Sequence, residues 1–233
     1  MIYRKLRFKH IKRNYPRTLV LLPGWATDYR IFGNLELPYD YFIPEEISPD
    51  NFSRGLIEAL EENSIQKVSL FGWSLGAFLA ADFSLGHPVS IDELFLLGVR
   101  SHYEKQSLLK VKAGLERDKN ACLSEFYANC FSSFDAPGRE WFKNNLLGIY
   151  LKEMKIENLF QGLDYLAKAR IDPDSLRCVP KIKFFHGKLD RIAPFIEAEQ
   201  LKQKINQADF VEFPKLGHNL FLNTEFAQRF LHE

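Results

Sequence analysis

The chain has 233 residues, 46% of them hydrophobic and 14% aromatic, which suffices for one substantial core and an inserted subdomain. Thirty-one Lys and Arg stand against thirty Asp and Glu, and the formal net charge of +1 excludes a global electrostatic pull toward nucleic acid or an anionic membrane. Cys122, Cys130 and Cys178 lack the paired spacing of zinc or redox sites, and the N-terminus has no continuous apolar stretch of signal-peptide or membrane-spanning length. A reduced, cytoplasmic, non-membrane protein is the expectation.

In chain order, the basic start MIYRKLRFKHIKRNYPR separates Ile2, Leu6 and Phe8 by polar residues, as an exposed edge strand does, and this reading is preferred to an anionic-surface arm. TLVLLPG at 18 to 24 and YFIPE at 41 to 45 read as buried strands, followed by the helical pattern FSRGLIEALEEN. KVSLFG at 67 to 72 is a third buried strand, which runs through Gly72-Trp73-Ser74-Leu75-Gly76 straight into the helical pattern LGAFLAADFSLG. ELFLLG at 93 to 98 is the next strand. From 99 to 171 the pattern is helical throughout, with no convincing strand. KIKFFHG at 181 to 187, a helix in FIEAEQLKQKI, DFVEFP at 209 to 214 and a terminal helix complete the chain. Strand and helix alternate as in a parallel sheet covered by helices on both faces, so the expectation is an α/β core over 1–98 and 172–233 with an all-helical cap over 99–171.

The Gly-x-Ser-x-Gly pentapeptide alone does not separate a tight turn from a nucleophile; its context does. It ends a buried strand and opens a helix, the setting of a nucleophile elbow, with glycine tolerating the close backbone approach. Ser74 then sits above the carboxyl end of the sheet, and the N–H of Leu75 at a helix N-terminus is half of an oxyanion hole. The loop LLPGWATD at 21 to 28 offers the second donor, the N–H of Trp25 after the turn at Gly24. A serine needs a base, and the base needs an orienting acid. Of six histidines, His218 in FPKLGHNLFLN follows a strand by a short glycine-containing loop, and Asp190 in FFHGKLDRIAP stands just past another strand end. Ser74, Asp190 and His218 would all lie on one edge of the sheet. His186 reads as a strand-end histidine, His87 and His102 as loop residues, His10 and His232 as near-terminal, and Asp172 and Asp174 as turn or cap residues.

With these residues in hand the chain resembles the α/β-hydrolase family over essentially its whole length, through the elbow Gly72 to Gly76, the PGWA loop, HGKLDRIAP and GHNLF. Within it, LLPGW, FGWSLGA and NLFQGLDYLAKARIDPDSL look most like the pimeloyl-acyl-carrier-protein methyl ester carboxylesterases of biotin synthesis and their relatives. Three departures stand out: Pro23 where the family usually has His, Ala77 where it commonly has Gly, and IPEEISPDNFS in place of a glycine-rich loop. The resemblance implies a monomeric, metal-free serine carboxylesterase that uses no cofactor and acts on an acyl ester, with an acidic acyl carrier protein docking on cap cations. Arg139 and Lys143, one helical turn apart, fall where those cations would be expected; Lys152 and Lys155 are a second near pair. The cap carries twelve Lys and Arg against nine Asp and Glu, and a solvated helix face is the alternative reading of its cations. Trp25 and Leu75 would line the acyl site, and Phe126, Phe131, Trp141, Phe142 and Phe160 are cap aromatics whose ordinary role is packing.

Two rival readings keep the same fold: a thioesterase or carbon–carbon bond hydrolase using the same triad, and a ligand-binding protein with little or no turnover. Dehalogenase and epoxide hydrolase chemistry is disfavoured, because those relatives have a carboxylate where this chain has Ser74. GxxxxGK, GxGxxG and HExxH are absent, so nucleotide and zinc chemistry lack a motif.

Overall fold

A computed structural model describes residues 5–85 and 89–232; Ile2 and His87 of the expectations above lie outside them. Seven strands form one sheet: β1 (Phe8–Ile11), β2 (Thr18–Leu22), β3 (Asp40–Pro44), β4 (Lys67–Trp73), β5 (Ser90–Leu97), β6 (Ile182–Gly187) and β7 (Ala208–Phe213), in the order β1-β3-β2-β4-β5-β6-β7. All neighbours are parallel except β1 and β3, where Phe8 pairs with Pro44 and Ile11 with Tyr41. The N-terminal segment therefore does form an edge strand, but it begins at Phe8. Leu6 precedes it and is buried, its side chain lying so close to Gly55 that an added Cβ there would come within 2.7 Å.

The central strands are apolar on both faces because both faces are covered: Leu19 to Leu22, Leu70, Phe71, Leu94, Leu96, Phe184 and Phe185 have essentially no solvent exposure. Helices α1 (Phe52–Glu62), α2 (Leu75–Phe83), α8 (Phe195–Gln203) and α9 (Thr224–His232) flank the sheet. Phe226 and Phe230 of α9 pack against Phe71 and Phe185. Phe71, Phe185 and Phe226 are fully buried, and each such ring contributes on the order of 1.5–3 kcal/mol relative to an exposed one.

Between β5 and β6 run α3 (Lys105–Arg117), α4 (Lys119–Asn129), α5 (Ala136–Phe142), α6 (Gly148–Glu153) and α7 (Ile156–Leu166), with no strand among them. The helical pattern expected from 99 to 171 holds over REWFKNNLLGIYL, where a π turn at Lys143–Leu147 divides α5 from α6. Asp172 lies in a turn, its side chain accepting from Asp174 N and its carbonyl from Ser175 Oγ. Among the described residues, no helix is long and apolar enough to cross a membrane.

Because β2, β4, β6 and β7 run the same way, the segments that follow them emerge on one edge of the sheet. Those segments carry Trp25, Ser74, Asp190 and His218. Parallel topology thereby gathers residues separated by as many as 193 positions, and the inserted helices lie over them.

Candidate active site

Ser74 caps α2 with φ +57°, a left-handed conformation that costs a non-glycine residue on the order of 1–3 kcal/mol. Surrounding contacts hold it there. Its N–H donates to Leu97 O at 2.9 Å and its carbonyl accepts from Ala77 N at 2.9 Å. A Cβ on Gly72 would come within 2.6 Å of Ala77 Cα, one on Gly76 within 2.6 Å of the Leu22 carbonyl carbon, and one on Gly24 within 3.1 Å of Ser74 Cβ. Glycine is the side chain that allows this convergence. Ala77, where the family commonly has glycine, is fully buried without disturbing the turn.

Asp190 and His218 are buried and joined: His218 Nδ1 lies 2.7 Å from Asp190 Oδ2. Oδ1 of Asp190 accepts the N–H groups of Ile192 and Ala193, both at 2.8 Å. Burial alone would push this carboxyl up; the charge and hydrogen bond of His218, then His186 and the Ala193 N–H, outweigh it and hold the group below the usual carboxylate value. The bond from Nδ1 leaves Nε2 of His218 free, buried and without a hydrogen-bond partner among the described residues. A direct Ser74–His218 hydrogen bond is therefore not made in this structure, although the two share neighbours. Trp73 Nε1 donates to His218 O at 3.0 Å, and the imidazole packs against Gly98, which adjoins the Leu97 carbonyl that Ser74 uses. Catalytic hydrogen bonds commonly tighten only when substrate is bound. Burial pushes the hydroxyl of Tyr103, on the loop after β5, well above its ordinary pKa, with Ser74 opposing the shift.

His186 also faces this acid. Its Nε2 donates to Ala193 O at 2.8 Å and lies 3.5 Å from Asp190 Oδ2, while burial, against the opposing influence of Asp190, pushes its pKa down. It is the buried strand-end histidine expected, near the end of β6, and it stands behind the Asp190–His218 pair.

The loop after β2 carries the second expected donor. Among the described residues, neither Trp25 N nor Leu75 N is used in a loop or cap hydrogen bond. The Trp25 indole donates to Leu159 O of α7 at 2.9 Å and stands edge-on to Phe126 at 4.8 Å. Ala26 has φ +59°. Beside this loop opens a cavity of about 450 Å³. Gly24, Trp25, Leu75, Leu159 and Gly162 form one part of its wall, and Arg30, Glu45, Glu46, Glu153 and Lys155 line it too. The IPEEISPDNFS segment thus supplies cavity wall. Ser74, next to Leu75 in the chain, is buried and does not itself line this space.

The structure brings Asp190 and His218 into direct contact, and Ser74, Trp25 and Leu75 onto adjoining loops. It leaves Arg139 and Lys143 apart: both are exposed on α5 and the following π turn, and neither lines the cavity, whereas Lys155 does. Of the cap aromatics, Phe126 reaches the Trp25 ring, while Phe131 and Phe142 pack on one another. Tyr103, Tyr127 and Asp135 escape sequence reasoning, since each contacts the site only through a partner distant in the chain.

No protein-family model matches the chain. It is 27% identical over 214 residues to the AB hydrolase superfamily protein YisY of Bacillus subtilis, covering 84% of this chain and 74% of that protein. It is 23% identical over 238 residues to the pimeloyl-[acyl-carrier protein] methyl ester esterase of Nitrosomonas europaea, covering 91% and 92%. Among solved structures, the esterase EaEST from Exiguobacterium antarcticum superposes with a TM-score of 0.82 at 20% identity over 97% of this chain and 94% of that one. A bromoperoxidase from Bacillus anthracis superposes equally well, at 17% identity over the same shares. The architecture is the α/β-hydrolase fold, and proteins sharing it carry different activities in their names, so function must be argued from the site.

Proposed function

Taking the chain as a member of the α/β-hydrolase superfamily, we propose that it is a serine carboxylesterase working through an acyl-enzyme. The observation that carries this reading is the buried Asp190–His218 pair, with Nε2 of His218 unpartnered among the described residues and a serine held at positive φ at the end of a neighbouring parallel strand. His218 Nε2 accepts the Ser74 proton as Oγ attacks the ester carbonyl. Asp190 fixes the tautomer through Nδ1 and, staying ionised, stabilises the imidazolium. The N–H groups of Trp25 and Leu75 hold the oxyanion. His218 returns its proton to the departing alcohol oxygen, and water, activated by the same base, releases the acid.

The Nitrosomonas relative, together with the family resemblance of NLFQGLDYLAKARIDPDSL noted from the sequence, supports a methyl ester of a carrier-bound acyl chain as substrate, met in the cytoplasm, with Arg139 and Lys143 receiving an acidic carrier. Their exposure and one-turn spacing suit a docking role. Ser74→Ala should lose hydrolysis of p-nitrophenyl acetate and labelling by a fluorophosphonate probe together; retention of either sinks the nucleophile assignment. Restoration of biotin-independent growth to an auxotroph lacking the esterase, by the unmodified chain and not by Ser74→Ala, tests the substrate.

A further inference from the structure

One stretch of the inserted helices, from Tyr127 near the end of α4 to Asp135 before α5, reaches both loops that carry the proposed catalytic groups. The Tyr127 hydroxyl donates to Ala26 O at 2.6 Å, with Tyr127 only 2% exposed. Ala26 holds a left-handed φ that L side chains disfavour, directly after the residue whose N–H is the proposed oxyanion donor. A buried bond to its carbonyl keeps that peptide from rotating to relieve the φ, and so keeps the preceding N–H aimed.

At the other end of the stretch, Asp135 is also 2% exposed, and its Oδ2 accepts Ser132 N at 2.6 Å and Gly217 N at 2.9 Å. Asn219 N donates to Cys130 O at 3.1 Å, and Ser132 Oγ donates to Lys215 O at 2.6 Å. The backbone is thereby tied to the insertion on both sides of His218. The approach is close enough that a Cβ on Gly217 would come within 2.8 Å of Ser132 N. Asp135 retains an Oδ1 with no hydrogen-bond partner among the described residues, a desolvated acceptor that packing alone would not favour.

We propose that Tyr127 and Asp135 are positioning residues for the esterase reaction, Tyr127 holding the oxyanion loop and Asp135 the histidine loop. This rests on the serine-esterase reading above. Tyr165 supplies a control of matching chemistry: its hydroxyl reaches from α7 to Asp82 Oδ2 of α2 at 2.6 Å, joining insertion to core without touching either loop.

The test is steady-state hydrolysis of p-nitrophenyl acetate by Tyr127→Phe, Asp135→Asn, Ser132→Ala and Tyr165→Phe, with a thermal melt on each. Tyr127→Phe and Asp135→Asn should lower kcat by roughly tenfold or more with KM held within about twofold, short of the hundredfold or greater loss typical of deleting an oxyanion donor outright. Ser132→Ala, the gentler change, should lower kcat less and covers the case in which Asp135→Asn does not fold. Inhibition by a trifluoromethyl ketone, whose adduct carries the oxyanion, should weaken in Tyr127→Phe by the same factor as kcat. Tyr165→Phe should match the unmodified protein. Folded Tyr127→Phe and Ser132→Ala with unaltered kcat would overturn the inference, as would an equal loss in Tyr165→Phe, which would mark a general loosening of the insertion. Failure of the esterase reading is distinct: the unmodified protein would then neither turn over ester nor label at Ser74, and the inference would fall with it.

Discussion

The elbow and the helical insertion meet at one site but hold their residues by opposite means. Ser74 is held by backbone: glycines at 72 and 76 let strand, helix and the neighbouring Leu22 main chain converge, and every constraint lies within a few residues or in the adjoining strand. The insertion and the core loops are joined instead through the tips of side chains from either side. The Trp25 indole bonds Leu159 O across 134 positions, the Tyr127 hydroxyl reaches Ala26 across 101, and Asp135 reaches Gly217 across 82. A backbone-built feature resists small changes poorly but announces itself locally. One built from side-chain tips tolerates substitution of its scaffold and depends on a few polar atoms.

The largest effect is expected in the core loops. Asp190→Asn should leave the fold intact while stabilising the wrong His218 tautomer, at a cost of about 10⁴ in kcat by analogy with serine proteases; steady-state kinetics of the purified variant checks it. A pair of glycine substitutions sets the two regions against each other next. In the elbow, Gly76→Ala drives a Cβ into the Leu22 backbone and should lower Tm by roughly 5–10 °C, the upper end of overpacking costs. In α6, Gly148 has helical φ and ψ and nothing within 4 Å of a built Cβ, so Gly148→Ala should stabilise by about 0.4–1 kcal/mol. Calorimetry on both variants reads the contrast directly.

Protonation of a buried core histidine has a smaller effect. Burial lowers the folded-state pKa of His186, so the unfolded chain binds that proton first, below the ordinary histidine value of about 6.5. Stability therefore falls as pH drops from about 6.5 toward the lower folded value. Urea midpoints at pH 7.5 and 5.0 should differ less in His186→Gln than in the unmodified protein. The smallest effect is expected at the outer face of the insertion. Arg139→Glu with Lys143→Glu should raise KM for a carrier-bound ester by about threefold to tenfold and leave p-nitrophenyl acetate unaffected, as exposed steering charges do. An equal effect on both substrates would remove these cations from the carrier proposal.

Much of the architecture was legible in advance because it is written in short-range pattern. Doubly apolar runs become buried parallel strands, and a strand that breaks at Gly72-Trp73-Ser74-Leu75-Gly76 into an Ala-rich helix has few ways to fold other than the elbow observed. Asp190 and His218 were legible for a related reason: each follows a strand end by a few residues, and parallel strands send their carboxyl ends to one edge. The start of the edge strand was less legible, since Leu6 shares the apolar, polar-flanked look of Phe8 yet is buried beside Gly55. Nor did the helical periodicity of REWFKNNLLGIYL disclose its π turn, because the residues remain near helical angles while one added residue shifts the hydrogen bonds.

Local backbone sterics and apolar periodicity act over a few residues, and so the succession of strands and helices, the elbow and the acid and base candidates could be read from the chain alone, whereas the order of the strands in the sheet could not. Only the tertiary structure decided that Asp190 bonds His218 at 2.7 Å with His186 behind it, that the 45–49 loop walls a cavity beside Trp25, and that Tyr127 and Asp135 brace the two loops. Those contacts join residues far apart in the chain, and a tyrosine on a helix carries no mark of the carbonyl it will meet until packing brings the two together.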